Sequence, residues 1–215
     1  MDRRFFLSAA AASALTAFPG TGALADGGAT RAFRILRGGD DIGRHELVGQ
    51  MTGEGLRVDI SIDIRVRFLG ITAYRYTLEN RELWSGGRLV RQDSTANEDG
   101  DRLTSSISRV GEVLEIDGTR YSGTAPLEAV TTSYFARPFV ERRPWVSSQS
   151  GKPLEVDVVN RGGPRRWKVT GDLETALIYD ETGEWVGCEF DAGGETARYE
   201  LLDGTGQIAA LWEQA

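Results

Sequence analysis

The chain of 215 residues contains one histidine and one cysteine, so most of the side-chain chemistry available to it comes from carboxylates and hydroxyls. His45 lies in a predicted strand. As a general base it would need a nucleophile and an orienting carboxylate brought to it by the fold. Ser133 is one candidate nucleophile, although it does not stand in a G-x-S-x-G turn. We therefore expect His45 to be a surface or half-buried strand residue.

The cysteine and the paired carboxylates also favour structural roles. Cys188 has the same strand parity as Val186 and Phe190, which predicts a core position for an unreactive thiol. The acidic residues at 40–41 and 97–101 are typical of turns, where Asp and Asn bond to nearby backbone. One Cys and one His cannot build a cysteine zinc cage or an H-E-x-x-H motif. We predict no catalytic residue, no metal ligand and no cofactor.

Aromatic side chains are concentrated in an irregular stretch from Thr131 to Ser150. It contains Tyr134, Phe135, Phe139 and Trp145, and two prolines within it would break any long helix. A polar connection rarely needs so many aromatic residues. The stretch therefore either plugs the end of a barrel or lines the entrance to a hydrophobic cavity. On the second alternative, these four residues are the predicted ligand-binding residues.

The elements that must position these residues are β-strands. From Val58 to Phe68 apolar and polar residues alternate strictly, which predicts one apolar face and one charged face. Such a strand spans roughly 36 Å at ~3.3 Å per residue. A strand of this length with one apolar face needs a sheet that curves around its own core. Gly70 is predicted to be a bend where that sheet turns.

Shorter alternating segments repeat this pattern along the chain. Turn residues at 38–41, 86–87, 117–118 and 180–184 predict hairpins, and Ile208–Trp212 is predicted to be a short last strand. About ten to twelve strands joined by short turns favour an antiparallel meander. The predicted fold class is all-β: a strongly curved antiparallel meander sheet that forms a barrel or half-barrel, with little helix after the first 25 residues.

Residues 1–25 have the features of an export signal. Arg3-Arg4 is followed by an apolar, Ala-rich stretch, and Ala23-Leu24-Ala25 fits signal peptidase cleavage before Asp26. We expect a twin-arginine signal peptide, and therefore a periplasmic or secreted protein. No linker composition marks a boundary later in the chain, so residues 26–215 are predicted to form a single β-barrel-like domain.

The charge balance excludes some classes of partner. The chain has 25 basic and 32 acidic side chains, for a formal net charge of -7. An acidic protein is a poor electrostatic match for nucleic acid or for an anionic membrane surface. After the signal, no apolar run approaches the length that crosses a bilayer. We expect no nucleic-acid binding and no stable membrane insertion.

Several motifs resemble those of the DUF6134 family, exported bacterial proteins of unknown function. They are Phe33–Arg37 with His45, the segment 65–69 inside the long strand, Ser150–Leu154 and Tyr179–Gly187. The resemblance extends over essentially the whole chain after the signal. The family is reminiscent of DUF3108 and, more distantly, of LolA/LolB-like lipoprotein carriers, which are open half-barrels around a helix-bearing plug. By analogy of fold alone, this resemblance implies binding of a hydrophobic ligand.

Three functions are compatible with these features. The first is a periplasmic protein that binds or carries a hydrophobic or lipid-like small molecule, and we expect this one. The alternative is a non-catalytic structural or interaction module of the cell envelope, whose open sheet edge accepts a strand from an envelope protein. The third is an enzyme that uses a carboxylate pair or His45 with Ser133; the absence of a catalytic motif makes this the weakest of the three.

Overall fold

The computed structural model describes residues 28–68, 71–161, 163 and 165–215. Thirteen strands form one sheet in which every neighbouring pair is antiparallel. The first eight strands are β1 Gly28–Arg37, β2 Asp40–Thr52, β3 Gly55–Phe68, β4 Ile71–Ser85, β5 Arg88–Glu98, β6 Asp101–Val110, β7 Val113–Gly118 and β8 Tyr121–Pro126. The last five strands of the sheet are β12 Val156–Asn160, β13 Arg166–Gly171, β14 Thr175–Tyr179, β15 Trp185–Asp191 and β16 Thr196–Thr205.

The order of the strands confirms the predicted meander. Within β1–β8 and within β12–β16 each strand pairs with the next one in sequence, and β16 pairs with β1, so the first and last of these strands meet in the middle of the sheet. Among the described residues the sheet has two edges, β8 and β12, and it is therefore open. The predicted bend at Gly70 and the predicted signal peptide lie outside the described residues.

The long alternating strand is confirmed as β3, which has 14 residues and pairs along its length with the 15-residue β4. The alternation explains why this segment forms a strand, because its apolar residues all lie on one face. Val58 and Ile60 are buried, whereas the intervening Asp59 points to the outer face and pairs with Arg57 and Arg81. We call the face that carries Val58 and Ile60 the inner face.

Residues 127–155 connect β8 to β12 and form what we call the plug. The plug contains three two-residue strands and a short 3-10 helix; these elements are β9 Val130–Thr131, the 3-10 helix Arg137–Glu141, β10 Trp145–Val146 and β11 Pro153–Leu154. Strand β10 pairs in parallel with β9 and antiparallel with β11. The plug packs against the inner face and shares one hydrophobic core with it. The irregular, aromatic-rich stretch predicted from the sequence is this plug.

The C-terminal segment is a helix, α1 Ile208–Gln214, so the predicted last strand at Ile208–Trp212 is wrong. Ile208 and Trp212 are four residues apart, so a helix places both on its buried side. A strand would also place them on one face, but together with Ala210. The Ala-rich segment also has high helix propensity. The Ala209 backbone amide donates to the buried Glu184 carboxylate, and Glu184 pairs with Arg31 on β1 at 3.2 Å.

Four aromatic rings join the sheet, the plug and the helix. The ring of Trp84 on β4 lies 5.0 Å from that of Phe139, 5.9 Å from that of Phe135 and 6.2 Å from that of Trp212, measured between centroids. All four side chains are buried. Within the described part of the chain, no helix is long and apolar enough to cross a membrane.

Candidate functional site

The inner face of the sheet divides into two halves, and β3 runs through both. In the packed half, Leu56, Val58 and Ile60 are at most 3% exposed and belong to the core shared with the plug. In the open half, Ile62, Ile64 and Val66 continue the same apolar row but are only partly buried. The apolar face therefore extends beyond what the plug covers.

The open half forms a cleft with a volume of about 760 Å³. Lining residues come from β2, β3 and β4, which lie on one side of β1 in the sheet, and from β14, β15 and β16, which lie on its other side. The apolar and aromatic lining residues are Ile42, Ile62, Ile64, Val66, Ala73, Tyr74, Tyr76, Tyr134, Leu173, Cys188, Phe190, Ala192 and Tyr199, and the charged ones are Arg37, Arg67, Glu98, Glu174 and Asp191. Ligand sites in proteins usually measure about 300–1,000 Å³ and are lined mainly by such side chains. Size and lining both fit a small-molecule site.

A smaller and more polar pocket of about 290 Å³ adjoins the cleft. The two cavities share Ile62, Tyr76, Tyr134, Gln149 and Leu173 as lining residues. The polar lining of the pocket comes mainly from the plug and from inner-face positions of β2 and β4, and consists chiefly of His45, Asn80, Ser133, Ser147, Ser148 and Ser150. The site thus combines an apolar cleft with an adjoining hydroxyl-rich pocket.

Tyr76 and Gln149 stand between the two cavities. The hydroxyl of Tyr76 on β4 donates to Gln149 Oε1 of the plug at 2.7 Å, and both residues line both cavities. Burial raises the pKa of Tyr76, so the hydroxyl remains protonated and able to donate. This bond fixes the plug to the sheet at the boundary of the cleft.

His45 lies at the wall of the pocket and is only 3% exposed, so the expected surface or half-buried position is wrong. Its ring packs against aromatic rings, with centroid distances of 5.1 Å to Trp185, 5.5 Å to Tyr199 and 6.1 Å to Phe33. Neither ring nitrogen has a hydrogen-bond partner among the described residues. Burial lowers the pKa of His45 to about 3, because an apolar surrounding disfavours the imidazolium.

A buried carboxylate lies behind the pocket. Glu82, on the inner face of β4, accepts hydrogen bonds from Asn80 Nδ2 at 2.9 Å, Trp84 Nε1 at 2.9 Å and Ser133 Oγ at 3.0 Å. Burial raises the pKa of Glu82, and these donors act in the opposite direction. Gln92 extends the network by donating to Asn80 Oδ1. The network ties the plug to the sheet through hydrogen bonds, which are directional and depend on the position of each donor and acceptor.

The structure brings the two residues of the enzyme hypothesis, His45 and Ser133, to the same pocket. They do not form a nucleophile–base pair. The Ser133 hydroxyl donates to Glu82 at 3.0 Å, while both nitrogens of His45 are without a partner in the described chain. A serine nucleophile needs its hydroxyl bonded to the base that removes its proton. As arranged, the pocket can accept and donate hydrogen bonds but has no activated nucleophile.

Of the four predicted ligand-binding residues, the structure places Tyr134 on the walls of both cavities. Its backbone has φ of 32°, a left-handed conformation that is rare and strained for an aromatic residue. The Tyr134 carbonyl accepts a hydrogen bond from the Tyr179 hydroxyl at 2.9 Å, which helps to hold it there. A strained residue at a cavity wall is a common feature of functional sites.

The other three predicted residues, Phe135, Phe139 and Trp145, are at most 1% exposed and line neither the cleft nor the pocket. Trp145 Nε1 donates to the Phe139 carbonyl at 3.1 Å, which satisfies its polar atom inside the core. These side chains hold the plug against the packed half. Their placement corresponds to the alternative in which the aromatic stretch acts as a plug.

Sequence reasoning missed most of the cleft residues. Ile62, Ile64 and Val66 were recognised as strand residues, but alternation identifies the apolar face and not what covers it. The inner-face position of Asn80 and Glu82 could be predicted from the sequence. Both are an even number of residues from Leu78 and Trp84 on β4, which are buried on the same face. Cys188 is confirmed as a buried residue, and burial raises the pKa of its thiol.

The model of a domain of unknown function, DUF6134, matches residues 33–202. The chain belongs to the DUF6134 family. This confirms the resemblance found in the sequence motifs. All residues that line the cleft and the pocket lie between these limits, so both cavities are features of the DUF6134 domain itself.

Among solved structures, the DUF6134 fold is similar to the crystal structure of a β-barrel-like protein of the domain of unknown function DUF1849 from Brucella abortus. The TM-score is 0.55 at 8% sequence identity, and the match covers 83% of this chain and 97% of that chain. At this identity the similarity shows the fold alone, and it agrees with the curved antiparallel sheet. A comparison with curated protein sequences finds no match.

Proposed function

We propose that the chain binds and carries an apolar, lipid-like small molecule in the cleft. The observation that supports this most strongly is the open half of the inner face, where the apolar row of β3 continues through Ile62, Ile64 and Val66, which are only partly buried and line the cleft. Apolar surface in contact with water favours any partner that displaces the water. A ligand that covers this surface would complete the core that the plug leaves open. Its binding would gain about 25 cal/mol for each Å² of apolar area that it buries.

The plug has two roles in this proposal. Tyr134 contacts the ligand, because it lines both cavities. Phe135, Phe139 and Trp145 anchor the plug in the packed half and so determine where the cleft begins. Of the four aromatic residues predicted to bind a ligand, only Tyr134 contacts the ligand in this proposal, and the other three position the plug.

The proposed location is the periplasm or the extracellular space, reached through the twin-arginine signal at residues 1–25. In an aqueous compartment, a lipid-like molecule needs a carrier that shields its apolar part from water. A sheet that curves around a cleft supplies such a shield without a membrane anchor. The two proposals, location and ligand class, support each other.

The test is a titration with Nile red, an uncharged dye whose fluorescence rises in apolar surroundings. Wild-type protein is expected to bind the dye, and Ile64→Arg is expected to weaken binding by at least about tenfold, because a guanidinium would have to be desolvated in the cleft. Thr95→Arg is the matched control, since Thr95 is exposed on the outer face. Native mass spectrometry of the protein purified without detergent would detect a co-purified ligand.

Two results would contradict the proposal. One is a wild-type protein that does not enhance Nile red fluorescence and carries no small molecule. The other is equal dye binding by Ile64→Arg and Thr95→Arg, with both variants folded by circular dichroism. In that case dye binding would lie elsewhere on the surface.

The sequence-based alternative, an envelope interaction module, has one supporting observation. Among the described residues, the main sheet ends in the edge strands β8 and β12. An open edge can accept a strand from a partner protein. In-cell cross-linking from an edge position that repeatedly recovers one envelope protein would support this function, and a failure to recover any would remove it.

A further inference from the structure

The pocket next to the cleft contains a polar group that lacks a partner within the described chain. It is the imidazole of His45, whose Nδ1 and Nε2 are both buried and unbonded. Buried polar groups in native proteins are nearly always hydrogen-bonded, so each exception calls for an explanation. His45 lines the pocket, and a bound molecule in the pocket could provide the missing bond.

The hydroxyl and amide side chains of the pocket already have partners in the protein. Ser150 Oγ donates to Ser147 Oγ at 3.0 Å, and Thr132 Oγ1 donates to Ser148 Oγ at 3.2 Å. Asn80 and Ser133 both donate to Glu82. The hydroxyls and amides thus form the scaffold of the pocket, and His45 is the group left to recognise something else.

The electrostatics of the pocket disfavour a charged group. An anion taken out of water needs a cation beside it. The two cationic side chains that line the pocket, Arg120 and Lys152, are exposed, and Lys152 pairs with Asp172 at 3.1 Å. A cation would need a free carboxylate, but Asp172, the carboxylate that lines the pocket, is paired with Lys152, and Glu82 is not among the lining residues.

We propose that the pocket recognises an uncharged hydroxyl head at the end of an apolar ligand, with His45 as its hydrogen-bond partner. This inference rests on the proposed function, because it places the tail of the same ligand in the cleft. A neutral imidazole has one donor and one acceptor nitrogen, and a hydroxyl can complement either. Since Ile62, Tyr76 and Tyr134 line both cavities, one molecule can have its head in the pocket and its tail in the cleft.

The ligand class is therefore a long-chain alcohol or a monoacylglycerol rather than a fatty acid or a phospholipid. A matched series with one tail tests this directly: oleyl alcohol, 1-monooleoylglycerol, oleate and oleylamine, each used to displace Nile red at pH 7.5. We expect at least one of the two hydroxyl compounds to compete about tenfold better than oleate and oleylamine, as one satisfied buried hydrogen bond allows. Comparison of oleyl alcohol with 1-monooleoylglycerol shows whether the pocket prefers a simple alcohol or a glyceride head.

Variants of His45 test its role in the selectivity. His45→Phe keeps a flat ring without hydrogen-bonding atoms, and it is expected to reduce the ratio of affinities for oleyl alcohol and oleate by about fivefold to tenfold. His45→Gln retains a donor and an acceptor and is expected to restore most of the ratio. Thr95→Arg, on the outer face, is expected to leave the ratio unchanged.

A spectroscopic measurement works even if the His45 variants do not fold. Because the chain has one histidine, protein labelled with ¹⁵N and purified without a histidine tag gives a single pair of imidazole nitrogen resonances. Oleyl alcohol or 1-monooleoylglycerol is expected to shift one of these resonances, and equimolar oleate is expected to leave both in place.

The outcomes separate this inference from the proposed function. If Nile red does not bind at all, the proposed function fails. If Nile red binds but oleate displaces it as well as the hydroxyl compounds, or if the imidazole resonances do not respond to either hydroxyl compound, the cleft binds apolar molecules and the headgroup inference is wrong.

Discussion

The packed and open halves of the inner face use the same strands and the same alternation, yet they differ in what covers them. On β3, Ile60 lies against the core shared with the plug, and Ile64, four residues further on, lines the cleft. Both positions are dictated by the same period-two pattern. The comparison shows that the burial of a residue on this apolar face depends on how far the plug extends, and not on the alternation that places the residue there.

The largest expected effect is a difference in stability between two identical substitutions on one strand. Ile60→Ala is expected to lower the free energy of unfolding by about 2–5 kcal/mol, because Ile60 is buried and its loss leaves a cavity. Ile64→Ala is expected to cost about 1 kcal/mol or less, because the side chain is already partly exposed to the cleft. Urea unfolding of both variants measures this difference. Equal losses would mean that the two halves are packed alike.

The sequence predicted the strands of both halves and the turns between them, because period-two alternation and Gly/Asp turns are local signals. It did not predict where the plug ends on the inner face, since that depends on contacts between residues far apart in the chain. The depth of His45 was missed for the same reason: its aromatic neighbours come from β1, β15 and β16. The helix α1 was missed because the apolar spacing of a short terminal segment fits both periods.

The second prediction concerns the loss of stability at acid pH, and it tests whether water reaches His45 at the wall of the pocket. The folded-state pKa of His45 is lowered to about 3, whereas the unfolded chain has the ordinary value of 6.5. Between these values the unfolded state binds the proton better, so stability is full above 6.5 and falls as pH decreases, by about 1.4 kcal/mol per pH unit. His45→Gln is expected to lack this slope.

The measurement is the difference in unfolding free energy between wild type and His45→Gln from pH 7 to pH 4.5. Other groups titrate in both proteins, so they cancel in the difference. A flat difference would show that water reaches the imidazole and that the pocket is not dry.

The third prediction concerns Glu184, which lies in the packed half beside Arg31 and the start of α1. Burial raises its pKa to about 7 from the ordinary 4.5, although Arg31 acts in the opposite direction. For a carboxyl whose pKa is raised in the folded state, the contribution to folding stability is full below pH 4.5 and is lost as the pH rises through 7.

Wild-type stability is therefore expected to decrease from pH 5 to pH 8 relative to Glu184→Gln, opposite in sign to the effect of His45. Thermal melts of both proteins across this range measure it. A difference that stays constant with pH would show that Arg31 fully compensates the burial of Glu184.

The most direct test of the central claim is an NMR titration with isoleucine δ1-methyl labels, because isoleucines lie in both halves. Ile42, Ile62 and Ile64 line the cleft, while Ile60, Ile107 and Ile116 belong to the packed core. Addition of Nile red or oleyl alcohol is expected to shift the first three methyl signals and to leave Ile107 and Ile116 in place. Shifts confined to packed-half methyls, or no shift in any of the six, would contradict the account of the open half as a ligand-binding cleft.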